Sequence, residues 1–157
     1  PKTPKPRQIS IVLLMEVTGL TKLDQLIDKY DVFLFDCDGV VWHGDKIHVG
    51  DAFRNIEHLE KLGKKVYFIT NSSMISRVSM LEKMKSPIFN YQDAKLDHLY
   101  PASSLAAQYV KQKLPDVTKV YYTGTEKLGE EIRSNGLKTI GGSNWDELKD
   151  DFCYESL

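Results

Sequence analysis

Short continuous apolar runs alternate in this chain with stretches of helical periodicity, and that alternation constrains the fold more than any other feature. VFLF at 32–35 and VYFIT at 66–70 are such runs, and KVYYT at 119–123 opens a third unit. The first two have the length and composition of buried strands, VFLF that of one covered on both faces, and the third reads as a strand. Between them the apolar residues recur every three or four positions. Leu23, Leu26, Ile27 and Tyr30 do so behind a Thr21/Asp24 capping box. Asp51 stands where it can cap a helix with Ala52, Ile56 and Leu59 as its apolar positions and Gly63 placed to end it. Met74, Val78, Leu81 and Met84 mark a further amphipathic helix. Leu105, Ala106, Tyr109 and Val110 mark another, stopped by Pro115. EKLGEEIRSN at 126–135 is ended by Gly136, and LKTI at 137–140 closes on Gly141 and Gly142. Strands alternating with helices predict an α/β fold with a parallel sheet and right-handed crossovers.

Four stretches fall outside that alternation. VVWHGDKIHVG at 40–50, framed by glycines, reads as a hairpin or flap. SPIFNYQDAKLDHLYP at 86–101 holds two prolines and no clean period, so it is read as irregular. The acidic tail at 143–157 has no evident place in a sheet. Residues 1–22 are read as an N-terminal extension. Within it, PKTPKPRQ is basic and IVLLM apolar, but Glu16 breaks the run too early for a secretory signal. Residues 1–14, ahead of Met15, are expected to lie outside the fold, so that deleting them leaves its stability unchanged.

The run at 32–35 ends in an acidic pair, Asp36 and Asp38, followed by Gly39. In parallel sheets, function collects at the carboxyl ends of strands. Two carboxylates held this close repel unless a cation or a shared proton relieves them, and Mg²⁺ suits one or two carboxylates with phosphate and water. An EF-hand loop starting at Asp36 fails, because Val41 and Ile47 stand where Gly and Glu are needed. A DxD motif of the glycosyltransferase kind and a plain Asp-Gly turn both remain open on these residues alone. Composition excludes other partners. Lys and Arg total 21 against 22 Asp and Glu, so no basic field exists to hold a nucleic acid. No apolar run approaches the roughly 20 residues that span a bilayer. Cys37 and Cys153 form no CxxC pair, which suits a reducing, cytoplasmic setting. Cys37 itself is expected to be a small core residue.

Context narrows the choice. YDVFLFDCDGVVWHG at 30–44, followed by IEHLEKLGKKVYFITNSS at 56–73 and the pair Ser76-Arg77, resembles phosphatases of the haloacid dehalogenase superfamily. The p-nitrophenyl phosphatase and phosphoglycolate phosphatase group is the nearest match, and the resemblance runs over 23–142. It implies a Rossmann-like parallel core with an α/β cap, and a Mg²⁺-dependent phosphatase that hydrolyses small phosphate monoesters through an aspartyl-phosphate. By that resemblance Asp36 is the nucleophile, and Asp38 is general acid to the leaving oxygen and then base to water. Mg²⁺ is held by the Asp36 carboxylate and the Asp38 backbone carbonyl. Thr70 and Asn71 contact the phosphate. Ser72 stands where relatives commonly carry Asn, and Arg77 is read as a supporting group. Trp42 is expected to pack the flap against the sheet. His43, His48, His58 and His98 show no metal-ligand spacing.

The superfamily also uses a Lys and a late acidic pair, and neither motif follows Thr70; the acidic cluster at 146–151 has no strand before it. The family inserts its cap between the second and third motifs, and 120–142 resembles the first strand–helix–strand of that cap. The expected division is therefore an N-terminal part of the core over 23–112 and a partial α/β cap over 113–157. The chain is expected to end inside the cap and, alone, to be weakly active or inactive. The alternative is a non-catalytic relative that binds a phosphorylated ligand or a partner. A homodimer is left open for a full-length form.

Overall fold

A computed structural model of the chain describes residues 23–48 and 50–142. Helix α1 (Leu23–Lys29) leads into strand β1 (Val32–Asp36). A hairpin of β2 (Trp42–His43) and β3 (Lys46–Ile47) follows, then α2 (Ala52–Lys61), β4 (Lys65–Thr70) and α3 (Arg77–Lys85). A 3₁₀ turn at Leu96–His98 precedes β5 (Leu99–Pro101), which runs directly into α4 (Ala102–Lys113). Then come β6 (Lys119–Tyr122), α5 (Glu126–Ser134) and β7 (Lys138–Gly141).

The α/β class expected from the alternation is the one observed. β1, β4 and β5 form a sheet in the order β1-β4-β5, and every pairing is parallel. β6 and β7 pair in parallel as a separate sheet. Parallel strands need a crossover connection, and α2 and α5 supply it within β1–β4 and β6–β7. The core of the larger sheet is aromatic. Phe53 of α2 stacks on Tyr91 with ring centroids 5.1 Å apart and meets Phe89 edge-on at 6.0 Å. Phe68 of β4 lies 5.8 Å from Tyr91. The Tyr91 hydroxyl donates to Glu60 at 2.8 Å, which satisfies its polar end in this apolar place. The smaller sheet depends on glycine: a Cβ on Gly141 (φ +102°) would collide with the Tyr122 carbonyl.

Several local expectations need correction. The segment read as irregular contains β5, whose three residues pair with Phe68, Ile69 and Thr70 of β4. Pro101 is tolerated there because it closes an edge strand and caps α4. On α3 the helix forms, but its buried residues are Met80 and Met84; Met74 precedes the helix and is exposed, as is Val78. On α4 the inward face is Ser103, Ser104 and Ala107, while Leu105 and Tyr109 face solvent. Asp51 occupies the N-cap position of α2 without a side-chain capping bond, and Phe53 joins Ile56 and Leu59 on the buried face. Gly63 (φ +77°) ends α2 as expected. The hairpin read at 40–50 is present as β2–β3. Thr21 of the capping box, the extension 1–22 and the tail 143–157 lie outside the described residues. No helix among the described residues is long and apolar enough to cross a membrane.

Candidate active site at the carboxyl ends of the strands

The two longest strands of the larger sheet end side by side. Asp36 is the last residue of β1, in register with Ile69 of β4, and Thr70 is one position further along β4. After Asp36 the chain folds tightly around one acceptor: the Cys37 carbonyl takes the N–H groups of Val40, Val41 and Trp42 at 3.3, 2.9 and 3.0 Å. Gly39 (φ +85°) adopts the left-handed conformation this loop requires and donates to the Trp42 carbonyl at 2.6 Å. Asp38 thereby stands exposed at the loop's crest, over the strand ends.

Both oxygens of the Asp38 carboxyl accept hydrogen bonds. The indole N–H of Trp42 donates to Oδ1 at 2.8 Å, and the Thr70 hydroxyl donates to Oδ2 at 3.4 Å. The Thr70 oxygen in turn accepts the Ser72 N–H at 3.2 Å, and Ser72 Oγ accepts the Met74 N–H at 3.3 Å, so the 70–74 loop turns on its own side chains. Asp36 is half-buried, and among the described residues its carboxylate has no hydrogen-bond donor. Between the two acids, burial pushes the Cys37 thiol far above the ordinary range; the charges of Asp36 and Asp38 add to this, and Lys83 opposes it. Cys37 is fully buried, the inert core residue expected of it.

The donor set fits a hard cation in part. Asp36 offers an unengaged carboxylate, and among the described residues the Asp38 backbone carbonyl accepts no hydrogen bond, while its carboxyl oxygens are already used. That is the combination of carboxylate and carbonyl oxygen that Mg²⁺ accepts alongside water and phosphate. Among the described residues no group of three or more His, Cys, Asp or Glu gathers as a metal cluster. An apolar cavity of about 310 Å³ lies against β1, lined by Ile27, Phe33, Phe35, Ile56 and Leu59; its lining includes neither acid.

Comparisons with known proteins bear on the family and the fold. The profile of haloacid dehalogenase-like hydrolases matches residues 33–138. The chain belongs to this family. A 4-nitrophenylphosphatase of Schizosaccharomyces pombe is 38% identical over 76% of this chain and 40% of its own length. Phosphoglycolate phosphatase 2 of Arabidopsis thaliana is 35% identical over 90% of this chain and 46% of its own. Among solved structures, a p-nitrophenyl phosphatase from Archaeoglobus fulgidus superposes with a TM-score of 0.62 at 29% identity, over 70% of this chain and 40% of that one. A glycerol phosphate phosphatase from Mycobacterium tuberculosis, solved in complex with magnesium, shares the fold with a TM-score of 0.59 at 22% identity, over 73% of this chain and 33% of that one. The chain thus spans less than half the length of the relatives it matches.

In this haloacid dehalogenase-like chain, the residues singled out in the sequence separate into two groups. Asp36, Asp38 and Thr70 come together at the strand ends. Asn71 follows Thr70 but is exposed, with no hydrogen bond among the described residues. Arg77 lies apart from the acids: its backbone N–H donates to Glu131 Oε1 at 2.5 Å and its Nε to Oε2 at 3.2 Å. Trp42 is buried at 2% exposure and packs the hairpin as expected, but its N–H bond to Asp38 was not foreseen. The separation of four residues across a Gly-containing loop was the available signal. Ser72 as a turn residue and Glu131 as a buried acid were also missed. For Glu131 the signal was its place between Leu128 and Ile132, the two apolar positions of α5.

Proposed function

We propose that this chain carries the nucleophile-bearing part of a Mg²⁺-dependent phosphatase that cleaves small phosphate monoesters through an aspartyl-phosphate. The observation that supports the reading best is the contrast between the two acids: Asp36 is unengaged at the end of β1, whereas Asp38 is held by two donors. An oxygen of Asp36 attacks phosphorus, and the bond to the leaving oxygen breaks as Asp38 delivers a proton to it. Asp38 then takes a proton from the water that cleaves the aspartyl-phosphate and regenerates Asp36. Thr70 and Asn71 are assigned to the phosphoryl oxygens, Thr70 exchanging its long bond to Asp38 for one to substrate. Bound at Asp36 and the Asp38 carbonyl, Mg²⁺ would screen the charge that otherwise keeps a carboxylate from a phosphate.

The names of the relatives point to aryl phosphates and 2-phosphoglycolate as first substrates to try. The division into core over 23–112 and cap from 113 onward is supported by the separate sheet that begins at Lys119. A buried, free Cys37 is in keeping with a reducing compartment, and a cytoplasmic setting is proposed on that basis. The test is hydrolysis of 4-nitrophenyl phosphate with and without Mg²⁺, by wild type and Asp36→Asn. Slow, Mg²⁺-dependent release from the 157-residue chain, abolished by Asp36→Asn, is expected. Release that Asp36→Asn leaves unchanged would overturn the assignment of the nucleophile, and robust Asp36-dependent turnover would overturn the reading of this chain as an incomplete, weakly active or inactive form.

A further inference from the structure

Asp38 is exposed at the crest of a loop, so its carboxyl would sample several orientations unless something fixed it. What fixes it is the indole of Trp42. The ring cannot turn freely: it is 2% exposed, stacked on Phe53 with centroids 6.5 Å apart and set edge-on to Phe89 at 5.7 Å. Its N–H therefore has one direction, and in that direction lies Asp38 Oδ1 at 2.8 Å. The ring is also held from outside. Lys83 of α3 places Nζ 4.9 Å from the indole centroid and 5.4 Å from that of Phe89, a cation over two aromatic faces. The same ammonium donates to the Gly44 carbonyl at 2.7 Å and lies 3.8 Å from Asp45 in the β2–β3 turn.

We propose that Trp42 is a positioning residue for Asp38, and that Lys83 clamps the hairpin so that hairpin packing and the orientation of the Asp38 carboxyl are set together. Packing alone would need only the ring, and any large aromatic could provide it. A donor aimed at a carboxyl that must give and then take a proton is a separate requirement, which the indole N–H meets at Oδ1 with a bond shorter than the 3.4 Å one from Thr70 to Oδ2. The functional half of this proposal rests on the reading of Asp38 as acid and base; the structural half does not.

Two measurements separate these halves. The chain has two tryptophans, Trp42 and Trp145, so the indole ¹H–¹⁵N spectrum is simple, and Trp42→Phe assigns its signal by loss. The Trp42 signal is expected to move when Asp38→Ala removes the acceptor of its hydrogen bond, and to stay in place in Asp36→Asn. A Trp42 signal that Asp38→Ala leaves unmoved, or that Asp36→Asn moves as far, overturns the proposal whether or not the protein is a phosphatase. Where turnover of 4-nitrophenyl phosphate is measurable, Trp42→Phe should lower kcat about tenfold with KM nearly unchanged, and Lys83→Met should act in the same direction more weakly. An unchanged kcat in a folded Trp42→Phe variant overturns the functional half.

Discussion

The larger sheet gathers 15 buried apolar residues, from Phe33 to Leu99, with the Phe53 ring in contact with Phe68, Phe89 and Tyr91, and Phe68 with Tyr91. The smaller sheet gathers four: Ala107, Tyr122, Ile132 and Leu137. Both are strand–helix–strand units with parallel strands, yet the second buries too little to stand as firmly on apolar area alone. Ala107 and Val110 of α4 pack against it, and a polar clasp adds to that contact. Glu131, 3% exposed, receives both the backbone N–H and the Nε of Arg77, and Ser76 donates to Glu130 at 3.3 Å. Ser76 caps α3, which follows directly on the 70–74 loop. The unit read as the start of a cap is thus fastened to the stretch that carries Thr70 and Asn71. Apolar burial makes the platform for the acids; the contact with α4 and the Arg77–Glu131 ion pair, its acid buried, seat the second unit on it.

The sharpest way to break the comparison is to weaken the platform. Phe53→Ala should cost about 3–5 kcal/mol, because it empties the centre of the aromatic cluster. In urea denaturation followed by circular dichroism, both units should unfold early; a loss below about 1 kcal/mol would mean the core lies elsewhere. Arg77→Met comes next. It leaves the buried Glu131 carboxylate without its charge partner, which costs on the order of 3 kcal/mol. Its effect should be regional. Amide exchange should speed up over 119–141 while β1 and β4 keep their protection, and adding Glu131→Met should recover part of the loss. Equal acceleration in both sheets would dissolve the distinction drawn between them.

Smaller effects fall on either side. The Cys37 thiol is pushed up by burial, so the folded state holds its proton more tightly than the unfolded chain does. That contribution is intact below about pH 8.5, the ordinary thiol pKa, and is lost as pH rises beyond it. Cys37→Ala should flatten the fall of stability above that pH, as read by urea midpoints, without altering its acid side. Least of all, Lys127→Ala removes only the exposed helix pair with Glu130, and its midpoint should shift by no more than about 0.5 kcal/mol.

How much of this was legible depended on whether a segment's apolar residues were also its buried ones. β1 and β4 were legible as strands from their unbroken apolar runs, although one face is buried (Phe33, Val66, Phe68) and the other only half-buried, and the acidic pair after the first was plain. β5 was not: Leu99, Tyr100 and Pro101 form a strand of three, and the pairing with β4 that makes it one is not local information. The faces of α4 were inverted for a physical reason. Ser103 and Ser104 are both fully buried, their hydroxyls meeting the Ile75 carbonyl at 2.7 Å and the Gln108 amide at 2.9 Å. Small, satisfied serines pack inward while Leu105 and Tyr109 are left outside, so a ranking by hydrophobicity picks the wrong side. At the site, residue type made the acidic pair plain, whereas Thr70 was singled out only by the family resemblance. The indole N–H that orients Asp38 required knowing that the hairpin folds back over the loop.

Asp36's proposed role is that of the nucleophile that takes up the phosphoryl group. It is tested most directly by acid-quenching the protein with Mg²⁺ and a ³²P-labelled aryl phosphate, then mapping the label by peptide. Hydroxylamine-labile label is expected on the peptide that contains Asp36, absent in Asp36→Asn and longer-lived in Asp38→Asn. Label on another peptide, or label retained in Asp36→Asn, would contradict it.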